Sequence, residues 1–344
     1  MPLDPDIARL IDEIGKDPSF PRPTETDLAG ARASHEHDAA HFAAPGVRSE
    51  VAAIEPLTLP GPAGGLAARI YRPQPGQDSP VQPTIVWFHG GGWTTGSLDT
   101  GDILSRELCA GTPAVVLSID YRLAPENPWP AAIDDASAAL TWAKTKIDRL
   151  GNDPARIAIG GDSAGGNIAA VVAQASRDNG IELAVQILIY PYLDLDFERT
   201  DRYPSMSENA AGFYVTAADL RWCVQNYLPG QADPADPAIS PMNAPTLNGL
   251  PTTVLAVAEF DPLRDQGTQY GARLRDAGIL VIGHPGTGLI HGYADMLGRS
   301  AAARAELNRV VAAAAQALSA QAPASAWPDK ADGVAGAGSP ARSV

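Results

Sequence analysis

Basic residues are scarce in this sequence. Against 40 acidic side chains stand only 25 Lys and Arg, four of them Lys, and the formal charge is −15. Phosphate binding rests on a basic surface, so nucleic acid is excluded as an expected partner. Cysteine is scarcer still: Cys109 and Cys223 are the only two in 344 residues. That is too few for a disulfide framework, and neither has a Cys or His nearby at metal-ligand spacing. Both are expected to pack as small apolar side chains. No apolar run approaches the ~18 residues that span a bilayer. The start, Met1-Pro2-Leu3-Asp4-Pro5-Asp6, lacks the basic-then-apolar build of a signal peptide. The expectation is a cytoplasmic protein without a membrane span. Charged residues make up 19% and hydrophobic ones 45%, which speaks against disorder.

What is present is an alternation of short apolar runs with helical patterns. Strands are predicted at 51–59, 66–72, 84–88, 114–119, 156–160, 184–190, 252–258 and 279–283. The middle runs are apolar throughout, as in strands buried on both faces of a parallel sheet. Ile133, Ala136, Leu140, Ala143, Ile147 and Leu150 lie three or four apart and predict one amphipathic helix; Leu263, Gly267, Tyr270, Leu274 and Ala277 predict another. This alternation indicates an α/β fold. Residues 1–48 add an amphipathic helix (Ile7, Leu10, Ile11, Ile14), a proline break and a second helical stretch. Residues 192–245 form a long insertion with one helix near 217–228, and such insertions carry lids or binding surfaces. The small-residue composition of 321–344 reads as a flexible tail.

The strongest chemical signal is Gly160-Gly161-Asp162-Ser163-Ala164-Gly165-Gly166, directly after an apolar strand and opening a helical pattern. Gly161-x-Ser163-x-Gly165 fits a nucleophile elbow, a strained strand-to-helix turn that presents a serine oxygen. The bland reading is a glycine-rich turn with a capping serine. Next comes His89-Gly90-Gly91-Gly92-Trp93, after strand 84–88, whose consecutive glycines leave backbone N–H groups open, as an oxyanion hole requires. An activated serine needs a base, and of six histidines only His284 and His291 follow Ser163 in the order serine, acid, histidine. His284, before Pro285, is expected to order a turn. His291, flanked by Gly288 and Gly292, is favoured as the base. Asp261, just beyond strand 252–258, is the expected acid, a role compatible with capping the next helix. Asp194 and Asp196 are its rivals, and Asp265 is expected to pair with Arg264 or another surface base. Asp162 is expected to serve as a structural hydrogen-bonding partner. Trp93, Phe213, Tyr214 and Trp222 are candidates for the substrate pocket, or for a small core of the cap. His35, His37 and His41 invite a metal reading, but the spacing is not H-E-x-x-H, and no metal is expected.

HGGGW, the run Asp120-Tyr121-Arg122-Leu123-Ala124-Pro125-Glu126, GDSAGG, DPLRD and HGY together resemble the hormone-sensitive lipase family, the bacterial group IV esterases, over about residues 65–300. The resemblance implies an α/β-hydrolase fold with an eight-stranded, mostly parallel sheet (49–191 and 246–320) and a helical cap from 1–48 and 192–245. It implies carboxylic-ester hydrolysis without a cofactor, on a small-molecule ester of short to medium acyl chain. Ser163 would be the nucleophile, His291 the base and Asp261 its orienting acid. The oxyanion donors would be the N–H groups of Gly91, Gly92 and Ala164. Asn127 and Gln266 stand where relatives often have His and Glu. Amide, lactone or carbamate hydrolysis would use the same residues. A non-catalytic binding module of this fold is disfavoured by the presence of His291.

Overall fold

The computed structural model describes residues 2–43, 47–74, 81–112 and 114–319; the expected tail at 321–344 lies outside them. Among these residues one sheet is formed by β1 (Ala53–Gly61), β2 (Gly64–Arg72), β3 (Gln82–Phe88), β4 (Val115–Ile119), β5 (Asn152–Asp162), β6 (Val185–Ile189), β7 (Thr252–Ala256) and β8 (Val281–His284). Their order is β1-β2-β4-β3-β5-β6-β7-β8. β1 pairs antiparallel with β2, and β2 with β4; every other pairing is parallel. The helices are α1 (Pro5–Lys16), α2 (Leu28–Phe42), α3 (Asp102–Gly111), α4 (Ala131–Thr145), α5 (Ile147–Leu150), α6 (Ala164–Asp178), α7 (Ser205–Glu208), α8 (Ala217–Tyr227), α9 (Arg264–Asp276) and α10 (Ala301–Ser319). No helix among the described residues is long and apolar enough to cross a membrane.

Strand side chains alternate between two apolar layers, which is why the central runs are apolar at every position. From β3, Val86 and Phe88 join the core under α4 and α6, while Ile85 and Trp87 join the core under α3 and α10. α1 starts where Asp4 accepts hydrogen bonds from the Asp6 and Ile7 amides and Pro5 sits in the first turn, then buries Ile7 and Leu10. The helix expected to run from Ile133 to Leu150 is in fact broken. Thr145 Oγ1 bonds back to the carbonyls of Thr141 and Trp142, α4 closes at Lys146, and a separate turn follows.

Register places the functional loops. Phe88 lies beside Gly161, and Asp162 beside Ile189, so the residues leaving β3, β5 and β6 emerge together at one edge of the sheet. Beyond β7 and β8, Phe260 and Ile290 form an isolated parallel bridge, with Phe260 N–H donating to Leu289 O at 2.9 Å.

Candidate active site

Ser163 leaves β5 at φ 53° and ψ −118°, a left-handed value costly for a residue with a Cβ. The turn is held from both sides: Ser163 N–H donates to Ile189 O at 2.9 Å, and Ser163 O accepts from Asn167 and Tyr192 amides. Gly165 makes this sharpness possible. A Cβ there would stand 2.0 Å from Phe88 O, so only glycine lets α6 pack against the end of β3.

His291 Nε2 lies 2.8 Å from Ser163 Oγ, and His291 Nδ1 lies 2.8 Å from Asp261 Oδ2. A carboxylate only accepts, so Nδ1 carries the proton and the Nε2 lone pair faces the serine hydroxyl. Asp261 is fully buried, and its other oxygen accepts from the Leu263 amide at 2.8 Å. The carboxylate thus orients the imidazole and also caps the turn leading into α9. His291 is buried, with its ring 4.7 Å from that of Tyr190.

Of the expected oxyanion donors, Gly91 and Gly92 line the same cavity as Ser163 and His291, and Ala164 follows Ser163 in the chain. Gly91 and Gly92 adopt φ 114° and 58°; a Cβ on Gly91 would meet Thr95 O at 2.3 Å, and one on Gly92 would meet Cys223 Sγ at 2.2 Å. Ala164 is the first residue of α6, so its amide has no intrahelical acceptor and points out of the helix N-terminus, where negative charge is favoured.

A family model described as the alpha/beta hydrolase fold matches residues 85–295. The chain belongs to the α/β-hydrolase fold family. Its relatives place it in the hormone-sensitive-lipase-like branch of that family. It is similar to the carboxylic ester hydrolase LipN of Mycobacterium tuberculosis, 44% identical over 267 residues that cover 76% of this chain and 69% of that protein. It is also similar to the esterase LipI of the same organism, at 42% over 260 residues, 74% of this chain and 78% of that one. Among solved structures, a hyperthermophilic esterase from the archaeon Pyrobaculum calidifontis matches with a TM-score of 0.84 at 33% identity, covering 92% of this chain and 99% of that one.

As in an α/β-hydrolase with a covered site, a cavity of about 690 Å³ opens over Ser163 and His291. Its walls come from α1, α2 and the segment 212–223. Of the four candidate pocket aromatics, Tyr214 and Trp222 line it. Trp93 does not: it is fully buried, its ring stacked on Tyr227 at 4.4 Å, because its backbone (φ 59°) turns the indole into the core. Phe213 packs on Phe260, 5.2 Å between ring centres. Cys223 is a free thiol at the cavity wall, and Cys109 is a buried one.

The rival groups are engaged elsewhere. Asp194 accepts from Tyr203 Oη at 2.7 Å, and its backbone is locked by Gln266, which bonds to Leu193 N, Asp194 N and Asp194 O. Asp196 accepts from the Glu198 amide, and Asp265 pairs with Arg264 at 2.8 Å. The turn after β8 is ordered by Glu306, which accepts from Gly286 N–H; His284 only faces that carboxylate, at 3.9 Å. His35 bonds to Thr95 at 2.8 Å, His37 faces Ser19, and His41 faces Glu13 at 3.1 Å. Among the described residues no group of His, Cys, Asp and Glu could hold a metal ion.

Three acidic groups at the cavity carried no functional signal in the sequence. Asp162 presses against Gly90, and burial together with the charge of Asp295 holds its carboxyl well above the usual range. Asp295, four residues past the histidine, is pushed up to about 7 by enclosure, an effect opposed by His291. Asp38 on α2 is raised to about 6 by burial, although Tyr214 donates to it.

Proposed function

We propose that this chain is a serine carboxylesterase acting on short- to medium-chain acyl esters through an acyl-enzyme. The observation that carries this reading is the unbroken hydrogen-bond line Asp261–His291–Ser163, both contacts 2.8 Å, in the wall of a cavity of about 690 Å³. The names and similarity of the esterase relatives support the same chemistry.

Each residue then has a defined task. As Ser163 Oγ attacks the ester carbonyl carbon, its proton passes to His291 Nε2, and Asp261 stabilises the imidazolium that forms. The carbonyl oxygen becomes an oxyanion held by the N–H groups of Gly91, Gly92 and Ala164. Removing one such donor costs about 10²–10³ in rate. When the tetrahedral intermediate collapses, the alkoxide leaves with the His291 proton. Water, deprotonated by the same imidazole, attacks the acyl-enzyme and regenerates Ser163.

Segments 1–48 and 192–245 act as a cap over the catalytic body at 49–191 and 246–320, and Tyr214 and Trp222 contribute to substrate contact. A rate profile over p-nitrophenyl esters of increasing acyl length, with Ser163→Ala as control, tests the proposal. The expected optimum lies at short to medium chains, with loss of fluorophosphonate labelling in the variant. An optimum at long chains with activation at an oil interface, or no hydrolysis of any activated ester, would overturn it.

A further inference from the structure

Helix α2 grips the stretch of chain that follows the oxyanion glycines. Arg32 donates through Nε to Thr94 O at 2.9 Å and forms a two-pronged ion pair with Glu126, while Ser97 Oγ donates to Glu36 at 2.7 Å. Between these anchors His35 Nδ1 stands 2.8 Å from Thr95 Oγ1, and that hydroxyl stands 2.9 Å from Gly91 O. A hydroxyl has one proton, and a carbonyl can only accept. Thr95 therefore donates to Gly91 O, and the second contact is filled by a proton on His35 Nδ1. Burial holds the His35 pKa down at about 4, so the ring is neutral near pH 7 and keeps a single N–H.

The acceptor at the end of this chain matters. Gly91 C=O and Gly92 N–H belong to one planar peptide unit, so whatever fixes the carbonyl fixes the amide. Gly91 O also accepts from the Thr95 and Thr94 amides, at 2.9 and 3.1 Å. Hydrogen bonds received by a carbonyl polarise its amide and strengthen the N–H as a donor. We infer that His35, acting through the Thr95 hydroxyl, is a positioning residue that orients and polarises the Gly92 amide of the oxyanion hole. Helix α2 is then a working part of transition-state stabilisation and not merely a roof. This rests on the esterase reading of the same site.

The test compares wild type, Thr95→Val, His35→Leu and His35→Gln on p-nitrophenyl butyrate. Active sites are counted by fluorophosphonate labelling, and inhibition by a trifluoromethyl ketone reports on the oxyanion in its hemiketal adduct. Thr95→Val keeps the side-chain shape and removes only the hydroxyl. Thr95→Val and His35→Leu are each expected to lower kcat per labelled site by about 10-fold, below the cost of deleting a whole donor. KM should stay within about 2-fold, and ketone affinity should fall in step with kcat, since only the transition-state interaction is lost. His35→Gln, which retains an N–H donor, should recover most of kcat. A Thr95→Val enzyme with wild-type kcat per labelled site and wild-type ketone affinity overturns the inference alone. An inert wild-type chain overturns the hydrolase reading and this inference with it.

Discussion

Tyr214 Oη donates to Asp38 at 2.5 Å, tying the 212–216 loop to α2 across 176 residues of sequence. The same ring lies against Gly292, where a Cβ would stand 3.5 Å from Tyr214 Cε1, next to the base. Tyr214→Phe leaves the buried Asp38 carboxylate without this donor, and an unsatisfied buried group of this kind costs about 1–3 kcal/mol. Asp38 already has a raised folded-state pKa, so folding loses stability as pH rises from the unfolded pKa towards the folded one. Removing the donor widens that window. Denaturant unfolding should therefore show a larger destabilisation by Tyr214→Phe at about pH 8 than at about pH 5. An equal effect at both values would show that the hydrogen bond does not stabilise the ionised form.

Loss of the nucleophile should be near total. Ser163→Ala is expected to lower kcat by about 10⁶, and Asp261→Asn by about 10⁴ because the imidazole loses the partner that selects its tautomer. Steady-state kinetics on an activated ester, with circular dichroism as a folding control, decides the matter. An Asp261→Asn variant retaining more than a tenth of wild-type kcat would point to another acid.

Glycine substitutions should separate catalysis from general stability. Gly92→Ala forces a Cβ to 2.2 Å from Cys223 Sγ at a φ of 58°, and should cut kcat by roughly 10² or more, as loss of an oxyanion donor does. At Gly15 on α1 an added Cβ would have nothing within 4 Å, so Gly15→Ala should be accommodated without strain. It should add about 0.5–1 kcal/mol of stability through helix propensity.

Asp295 offers a pH test with a definite sign. Its folded pKa of about 7 lies above the ordinary carboxylate value of 3.8. The folded state therefore holds a proton that the unfolded chain has released, and stability declines between those two values and levels off above them. Asp295→Asn removes that decline and relieves Asp162 of a like charge. Its melting temperature should exceed that of wild type at about pH 8 by roughly 1–2 °C, the shift given by about 1 kcal/mol in a chain of this length. The difference should shrink towards about pH 4. Parallel melting curves across this range would refute the assignment.

The Asp261–His291–Ser163 line proposed as catalytic is legible in the sequence because its residues are bound to local backbone geometry. The Gly161-x-Ser163-x-Gly165 turn, the glycines after β3 and the late position of His291 each leave a mark in the order of the chain. The alternating burial of Ile85 to Phe88 is equally readable as an unbroken apolar run. Side-chain direction is not. Trp93 and Trp222 look alike in sequence, yet a positive φ sends the first into the core while the second faces the cavity. The charge repulsion between Asp162 and Asp295 and the His35–Thr95–Gly91 chain depend on the approach of distant segments, for which no local spacing exists. Gln266 stands out in sequence only as a departure from relatives, although it closes three hydrogen bonds to the 193–194 backbone.

The bridge between Phe260 and Ile290 joins the neighbours of Asp261 and His291 as one more rung beyond the sheet. The proposed acid and base therefore ride on a shared raft, while the serine is moored to a different strand. Fluctuations of this edge should carry the carboxylate and imidazole together and stretch the Nε2–Oγ contact before the Nδ1–Oδ2 one. On the proposed mechanism, the pair that holds a proton in place is joined through neighbouring backbone, and the pair that exchanges one spans two separate strands.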